Sequence, residues 1–327
     1  MRKKSVFLFS GVVALALTAC SGVRHNMDEY ILKLDYKENY RILQLSDTHI
    51  GDKDNTKLHY DFMDLTIKEA NPDLIVITGD VFTFASKNTA KEFFKFIDDH
   101  GIKWTLTFGN HDEQCYFSID WLTNVLNNYG SNCVFKDIQD DNVQGNANFA
   151  INLKQGDSIF EQLIIMDSNR YYYGNYFGYD YFKPNQIEWY ENIVDYTKEQ
   201  NGGTVVPSLM FYHIPLPEVN DAWAAAKADP SLNINGGELG EKPCNPDYNS
   251  GFFDVIKTKG STHGMYFGHD HINNFIVRYQ GIDFGYGPKA TDRVYYSEEL
   301  LGGRVITIKS DHSLEYQDIY HKYEEVK

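Results

Sequence analysis

Eight side chains able to bind a metal ion follow short apolar runs in this sequence. They are Asp47, His49, Asp80, Asn110, His111, His213, His269 and His271. Carboxylate, imidazole and amide groups are hard or borderline ligands for divalent cations. A charged group directly after a buried strand is costly unless it is paired or bound to metal. The pattern therefore predicts a metal site built from the ends of several strands.

Asp80 is the residue on which the others can converge. It closes LIVITGD, a continuous apolar and β-branched run that predicts a buried strand. Two divalent ions roughly 3.5 to 4 Å apart need one ligand that touches both, and a carboxylate offers an oxygen to each. We predict Asp80 as this bridge. A hydroxide between two such ions would be a strong nucleophile, and the ions would neutralise charge on a phosphoryl group.

The spacing of two ligand pairs supports the same site. Asp47 and His49 are separated by one residue, as are His269 and His271. In extended chain this spacing places both side chains of a pair on one face. Each pair can therefore reach one metal site.

The elements that position these residues alternate between strand and helix. RILQLSD, LIVITGD and KWTLTFGN predict strands, and the periodicity of Leu58 to Ala70 and of Ala90 to Asp99 predicts the helices between them. Parallel strands joined by helices carry their connecting loops at one end. We therefore expect the ligands at the carboxyl edge of an open sheet.

The second half continues the alternation. Helices are predicted from Ile119 to Asn128 and from Gln186 to Glu199, and strands at FAINL, LIIMDSN, SLMFY and GMYFG. Four later runs, NFIVRYQ, GIDFGYG, GRVITIK and SLEYQDI, predict an antiparallel meander that forms a second sheet. The expected fold class is α/β, a two-sheet β-sandwich flanked by helices.

Two segments near the predicted site are irregular. Arg170 to Phe182 carries eight aromatic residues in thirteen, and predicts a loop whose rings either pack the surface or form a rim that contacts substrate. Pro217 to Phe252 is a long insertion rich in glycine, asparagine and proline. Insertions of this length in compact enzymes are commonly lids or substrate-determining elements.

The amino terminus predicts export. Arg2, Lys3 and Lys4 precede an apolar span too short to cross a membrane, and LTAC ending at Cys20 resembles the lipobox of bacterial lipoproteins. The resemblance implies a signal peptide at 1–19, lipidation of Cys20, a tether at 20–28 and a single domain at 29–327. The mature protein would be anchored to the cell envelope by lipid alone, outside the cytoplasm.

Charge and cysteine content limit the other function classes. Removing residues 1–19 changes the formal net charge from −16 to −19, and no basic cluster follows them, so no nucleic-acid partner is expected. Cys115, Cys133 and Cys244 remain after Cys20, and their spacing leaves either one disulfide or three buried thiols open.

The order of the motifs resembles the calcineurin-like metallophosphoesterases, in particular their purple acid phosphatase-like branch. The motifs are D-x-H at 47–49, GD at 79–80, GNHD at 109–112, His213 and GHDH at 268–271. The resemblance implies one metal held by Asp47, His49, Asp80 and His271, and another held by Asp80, Asn110, His213 and His269. It also implies that His111 stabilises the phosphate or protonates the leaving group, and that Asp112 orients His111.

One position departs from that branch. Purple acid phosphatases carry a metal-binding tyrosine three residues after the bridging aspartate, where this sequence has Thr83. Two divalent ions of manganese, iron or zinc are therefore expected rather than iron(III) with a tyrosinate. The predicted function is a two-metal phosphomonoesterase acting on a small phosphorylated substrate. The alternatives are a phosphodiesterase on a small diester or nucleotide, and a non-catalytic metal-containing binding lipoprotein.

Overall fold

The computed structural model describes residues 26–52, 56–174 and 177–326. In chain order the strands are β1 (Ile31–Asp35), β2 (Tyr40–Leu45), β3 (Leu74–Thr78), β4 (Lys103–Thr107), β5 (Phe149–Gln155), β6 (Ser158–Ile165), β7 (Tyr171–Tyr173), β8 (Phe177–Tyr179), β9 (Ser208–Phe211), β10 (Thr262–Phe267), β11 (Ile276–Tyr279), β12 (Ile282–Tyr286), β13 (Gly302–Ile308) and β14 (Leu314–Tyr320). The α-helices are α1 (Thr56–Ala70), α2 (Lys87–Asp98), α3 (Ile119–Asn127), α4 (Pro184–Gln200), α5 (Val219–Ala228) and α6 (Phe252–Lys259). Short 3₁₀ helices lie at Met27–Tyr30, Asp112–Gln114, Pro230–Leu232, Glu298–Leu300 and Tyr323–Val326. The predicted signal peptide and Cys20 lie outside the described residues.

A five-stranded sheet contains the predicted β-α-β-α-β unit. Its order is β14-β13-β2-β3-β4, with β2, β3 and β4 parallel. α1 and α2 connect these strands and bury their apolar stripes, which include Phe62 and Ile67 in α1 and Phe93 in α2. α2 begins three residues before its predicted start at Ala90, because the Ser86 side chain caps it by accepting from a backbone amide in the first turn.

A seven-stranded sheet packs against the first. Its order is β1-β5-β6-β9-β10-β12-β11, and β6, β9 and β10 are parallel neighbours. Along β9, Leu209 and Phe211 enter the core between the two sheets, whereas Met210 faces the outer core beneath the helices. This alternation follows from the two-residue period of a strand with both faces buried. The predicted fold class, a two-sheet sandwich flanked by helices, is confirmed.

The predicted meander is wrong in one respect. β11 and β12 pair with each other and join the seven-stranded sheet beside β10, whereas β13 and β14 join the five-stranded sheet beside β2. The four strands therefore divide between the two sheets. Local alternation predicts a strand, but the neighbour that a strand pairs with is set by contacts distant in sequence.

The two irregular segments contain regular structure. Within 170–182, β7 and β8 form a short antiparallel pair. The insertion at 217–252 includes α5, which buries Val219, Ala222 and Ala226, and its later part runs beside residues 273–277 through isolated bridges at Leu239 and Asn233. The insertion is therefore fastened to the strand that follows the GHDH motif.

The three cysteines of the described chain are free thiols, each partly buried. Of the two alternatives open from their spacing, the disulfide is absent from this part of the protein. In the described ranges, no helix combines the length and apolarity needed to cross a bilayer.

Candidate metal centre

The predicted ligands come from the carboxyl ends of strands in both sheets. Those that follow β2, β3 and β4 come from the five-stranded sheet, and those that follow β9 and β10 come from the seven-stranded sheet. The two carboxyl edges meet at one place, so the ligands lie between two sheets. The sequence had suggested a single edge of one sheet. His269 illustrates the join, because its backbone amide donates to the Asp47 carboxylate across the sandwich at 3.1 and 3.2 Å.

Four of the predicted ligands have left-handed backbone. Asp47, His49, Asp80 and His269 adopt φ values of 53°, 46°, 47° and 80°. Left-handed backbone costs a non-glycine residue on the order of 1 kcal/mol, and such residues cluster at functional sites.

Two glycines make room for the ligands. A Cβ at Gly109 would overlap the carboxylate of Asp80, and one at Gly268 would overlap the side chain of Ser46. Glycine is therefore required at both positions because neighbouring polar groups approach the backbone too closely for a side chain.

The first group consists of Asp47, His49 and His271. Their ligand atoms all lie within 4.8 Å of one another, and all three side chains are buried. Nε2 of His49 is 3.1 Å from Nε2 of His271, and Oδ1 of Asp47 is 3.5 Å from Nε2 of His271. Two imidazole nitrogens and a carboxylate oxygen thus face one point.

The second group consists of Asp80, His213 and His269, again with ligand atoms within 4.8 Å. Oδ2 of Asp80 is 3.3 Å from Nε2 of His213 and 3.7 Å from Nε2 of His49, which belongs to the first group. Asp80 belongs to the second group and also faces the first, which is the position predicted for a bridge.

The donor set passes a test of fit for metal ions. Nε2 of His213, Nε2 of His269 and Oδ1 of Asn110 are buried and have no hydrogen-bond partner among the described residues. Buried polar atoms are nearly always satisfied, and each exception calls for an explanation. Two of these atoms belong to the group that contains Asp80, and the third lies on Asn110, whose neighbour His111 donates to Asp80. A bound cation explains them, and nitrogen and oxygen donors suit a divalent transition metal.

Hydrogen bonds behind the imidazoles orient them. Nδ1 of His213 donates to the Thr78 carbonyl and Nδ1 of His271 to the Tyr295 carbonyl, both at 2.8 Å. Carbonyl oxygens only accept, so each Nδ1 carries a proton and Nε2 is the nitrogen that faces the site. Nδ1 of His49 is 2.8 Å from Oγ1 of Thr83. Thr83 replaces the metal-binding tyrosine of purple acid phosphatases. Here it contacts the candidate ligand His49 at Nδ1, the ring nitrogen that faces away from the site.

The electrostatics keep two imidazoles in the ligand form. Burial lowers the pKa of His269 to about 3 and that of His49 well below its usual value, so both are neutral. His213 differs: burial lowers its pKa, but the Asp80 carboxylate outweighs burial and raises it to about 10. A metal ion and a proton therefore compete for Nε2 of His213, and metal binding would release that proton.

His111 lies at the opening of the site. Its side chain is 29% exposed, its backbone amide donates to Oδ1 of Asp80 at 2.7 Å, and its Nε2 is 4.0 Å from Oδ2 of Asp80. The ring is thus held beside the candidate bridge while one edge remains open to a substrate.

Asp112 does not contact the His111 ring, contrary to the pairing implied by the resemblance. Its buried carboxylate accepts from the backbone amides of Phe82 at 2.8 Å and Gly109 at 2.7 Å. The partner of the His111 ring is Gln114, whose Oε1 accepts a hydrogen bond from Nδ1 of His111 at 2.8 Å. Asp112 turns inward because those two amides need an acceptor, and it ties the loop after β3 to the loop after β4.

The sequence does not predict several residues that contact the candidate ligands. Lys289 is buried and donates from Nζ to the Asp47 carbonyl at 2.7 Å, and burial lowers its pKa to about 7. Tyr171 accepts from Nδ2 of Asn110, and the Tyr179 ring packs edge-on against His269. The sequence indicates an aromatic segment near the site but does not indicate which ligands its rings contact. No sequence signal marks Lys289, which lies in an irregular loop.

Comparison with known proteins agrees with this geometry. Residues 40–283 match the model of the calcineurin-like phosphoesterase family. The chain belongs to the calcineurin-like phosphoesterase family. This family uses a dimetal centre, and the two buried groups described above are the candidate triads for it.

Relatives of this calcineurin-like phosphoesterase fall in the purple acid phosphatase group. It is 26% identical to a protein named probable inactive purple acid phosphatase 14 from Arabidopsis thaliana, over 86% of this chain and 78% of the relative. A second, probable inactive purple acid phosphatase 29 from the same plant, is 26% identical over 88% and 81%. A dimetal phosphatase from Danio rerio has the same fold, with a TM-score of 0.53 and 12% identity over 83% of this chain and 96% of that one.

Proposed function

We propose that the protein hydrolyses a small phosphomonoester at two divalent metal ions. One ion is held by Asp47, His49, Asp80 and His271, and the other by Asp80, Asn110, His213 and His269. The observation that carries the proposal is the pair of buried donor groups, of which the second contains Asp80 and brings it to 3.7 Å from His49 of the first, together with unpartnered atoms on His213, His269 and Asn110. When bound, two such ions lower the pKa of a water molecule and neutralise charge on a phosphoryl group. The ligand set suits manganese, iron(II) or zinc.

The protein's own residues would align the phosphate and handle the proton. His111 is partly exposed beside Asp80, with Gln114 accepting at Nδ1, so Nε2 is the nitrogen available to the substrate. We assign it the donation of a proton to the leaving oxygen, or of a hydrogen bond to the phosphate. Asp112 acts one step removed, by joining the loops that carry Asp80 and Asn110.

Catalysis, as opposed to binding alone, is supported by the completeness of this set. The curated relatives bear the word inactive in their names, which describes those proteins. In this chain all seven predicted ligands and His111 are present. Support comes from six of the ligands, which form the two buried donor groups, and from His111, which lies beside Asp80. A binding protein that had lost catalysis would have no need to keep His111 at the opening.

A small substrate is favoured by charge and by the insertion. The chain has a net charge of −16, and a polymeric phosphodiester requires a basic groove to offset its own charge. The insertion is fastened beside the GHDH motif by the Cys244 amide, which donates to Asp270 at 3.1 and 3.2 Å, and by the Glu241 amide, which donates to Asn273. It therefore lies against the loop that carries His269 and His271.

The test compares two substrates on the metal-loaded enzyme. We expect an aryl monophosphate to be hydrolysed with higher kcat/KM than the corresponding bis-aryl diester, with Asp80→Asn as the control that separates this activity from a contaminant. A tenfold or greater preference for the diester would replace the proposal with a phosphodiesterase. Absence of any hydrolysis that depends on Asp80 would leave a metal-containing binding protein.

We also propose that the enzyme works outside the cytoplasm, attached to the membrane by lipid on Cys20. The support is the segment from Leu17 to Cys20 after a short apolar span and three cations. These residues lie outside the described part of the chain.

A further inference from the structure

The short hairpin of β7 and β8 lies directly against the second group of ligands. Nδ2 of Asn110 donates to the hydroxyl of Tyr171 at 2.9 Å. Oδ1, the other polar atom of this amide, has no hydrogen-bond partner among the described residues. The edge of the Tyr179 ring meets the His269 ring, with centroids 4.3 Å apart and planes at 87°. Both residues at the base of the hairpin thus contact predicted metal ligands.

From this base a row of aromatic rings extends to solvent. Tyr171 stacks on Tyr179 with centroids 5.8 Å apart and planes at 27°, and on Phe177 at 5.5 Å and 19°. Phe177 in turn contacts Tyr173 at 5.6 Å. The outer two side chains are strongly exposed, Tyr173 by 79% and Phe177 by 70%.

Packing does not account for the outer rings. An aromatic side chain contributes to stability through the apolar area that it buries, and these two bury little of theirs. Scattered single apolar residues on a surface need no explanation, but this pair continues a stacked row that starts at the ligands Asn110 and His269. The continuity with the site indicates a role in binding.

We propose that this row is the subsite for a planar ring in the leaving group of the substrate. The inference rests on the proposed function, because it places the phosphate at the candidate metal centre. An aromatic ring joined to the phosphate through a short linker could lie along Phe177 and Tyr173 while its phosphate reaches Asn110 and His111. Offset stacking on aromatic faces favours a flat ring over a puckered one of similar size. The substrate class is therefore a phosphomonoester of an alcohol that bears an aromatic or heteroaromatic ring.

The experiment uses binding, so that it does not depend on turnover. Benzylphosphonate and cyclohexylmethylphosphonate share the charged group, the linker and the ring size, and differ in the planarity of the ring. Isothermal titration of the metal-loaded protein should give about three- to tenfold tighter binding of benzylphosphonate, the range expected for one aromatic contact. The Tyr173→Leu/Phe177→Leu variant should lose this preference and keep its metal content. The Tyr173→Phe/Phe177→Tyr variant is the matched control that keeps both ring faces and should keep the preference.

The possible outcomes separate this inference from the proposed function. Equal affinity for the two phosphonates, no binding of either, or a preference that survives in the double leucine variant would each overturn the aromatic subsite.

Hydrolysis is then measured with benzyl phosphate and cyclohexylmethyl phosphate. A retained binding preference without hydrolysis of either ester contradicts the proposed hydrolase and supports the subsite. Hydrolysis of both esters with equal kcat/KM, together with equal binding of the two phosphonates, supports the proposed hydrolase and contradicts the aromatic subsite.

Discussion

The chemistry of this protein depends on single residues held in unfavourable states. Asp47, His49, Asp80 and His269 have left-handed backbone, and three ligand atoms on His213, His269 and Asn110 are buried without partners. Each feature lowers the stability of the metal-free fold. Binding a cation satisfies the unpartnered atoms, so metal should raise the free energy of unfolding.

Asp80 is the residue whose loss should affect both metal ions. Its Oδ2 lies near Nε2 of His213 and Nε2 of His49, one from each group. We expect Asp80→Asn to reduce the metal content of both sites and His213→Ala to reduce mainly one, as measured by elemental analysis. Asp254→Asn, which changes an exposed aspartate, is the control and should retain two ions. Full metal content in Asp80→Asn would contradict the bridging assignment.

His111 and Gln114 should act together in catalysis. Removing the general acid in His111→Ala should lower kcat by about 10²- to 10⁴-fold while the metal content stays near that of the wild type. Gln114→Leu removes the acceptor at Nδ1 and should lower kcat by a smaller factor, about tenfold, because the ring is then less well oriented. Steady-state kinetics with elemental analysis measures both. A matching loss of metal in His111→Ala would make His111 structural.

Asp112 should behave differently from His111 because it accepts only from backbone amides. Asp112→Asn places an amide donor where two donors already point, so we expect the free energy of unfolding to fall by about 1–3 kcal/mol. Gln114→Leu is the comparison and should change stability little. Denaturant unfolding measures this. A specific loss of kcat in Asp112→Asn at unchanged stability would restore the direct pairing with His111.

At the scale of elements, one buried carboxylate joins the two sheets. Glu161 on β6 accepts from Nε2 of His263 on β10 at 2.7 Å, and from Nδ1 of His312 in the turn between β13 and β14 at 3.0 Å. β6 and β10 belong to the seven-stranded sheet, whereas the turn belongs to the five-stranded sheet. The His312 contact therefore holds the sandwich together far from the metal centre.

This contact predicts a dependence of stability on pH. The hydrogen bond to Glu161 raises the pKa of His312 in the folded state, with Asp311 acting in the same direction. The contribution is complete below the unfolded value of about 6.5 and is lost as the pH rises through the folded pKa. We expect His312→Gln to cost more free energy of unfolding at pH 6 than at pH 9, measured with urea. In a Glu161→Gln background the difference between the two costs should shrink, because only the smaller contribution of Asp311 remains. An undiminished difference would assign the effect to another group.

At the scale of the whole molecule, anchoring should depend on Cys20 alone. Lipid on this thiol would hold the acidic domain at the membrane surface without a spanning helix. Wild-type protein should partition into the detergent phase, and Cys20→Ser should remain unprocessed and without lipid. Cys244→Ser is the matched control and should partition like the wild type. Mass spectrometry that finds a soluble wild-type protein cleaved at another position would contradict lipidation.

The sequence by itself determined the inventory and order of the site. Periodicity is a local property, so the first parallel strands, α1 and α2 were predictable, with errors of a few residues at their ends. The ligands stand directly after apolar runs, and a strand delivers the residue at its end wherever the strand lies in the sheet. For this reason the sequence could single out Asp47, Asp80, Asn110 and His213 as candidate ligands before their neighbours in space were known.

Only the tertiary structure decided which elements meet. The last four strands have the same alternating pattern, yet β11 and β12 pair beside β10 while β13 and β14 pair beside β2, because pairing depends on contacts distant in sequence. The same reason applies at the site. Gln114 rather than Asp112 reaches His111, and Lys289 reaches Asp47 from a part of the chain that carries no motif. Which side chain fills a given hydrogen bond is decided by the directions in which packed loops point their donors, and no local pattern in the sequence encodes those directions.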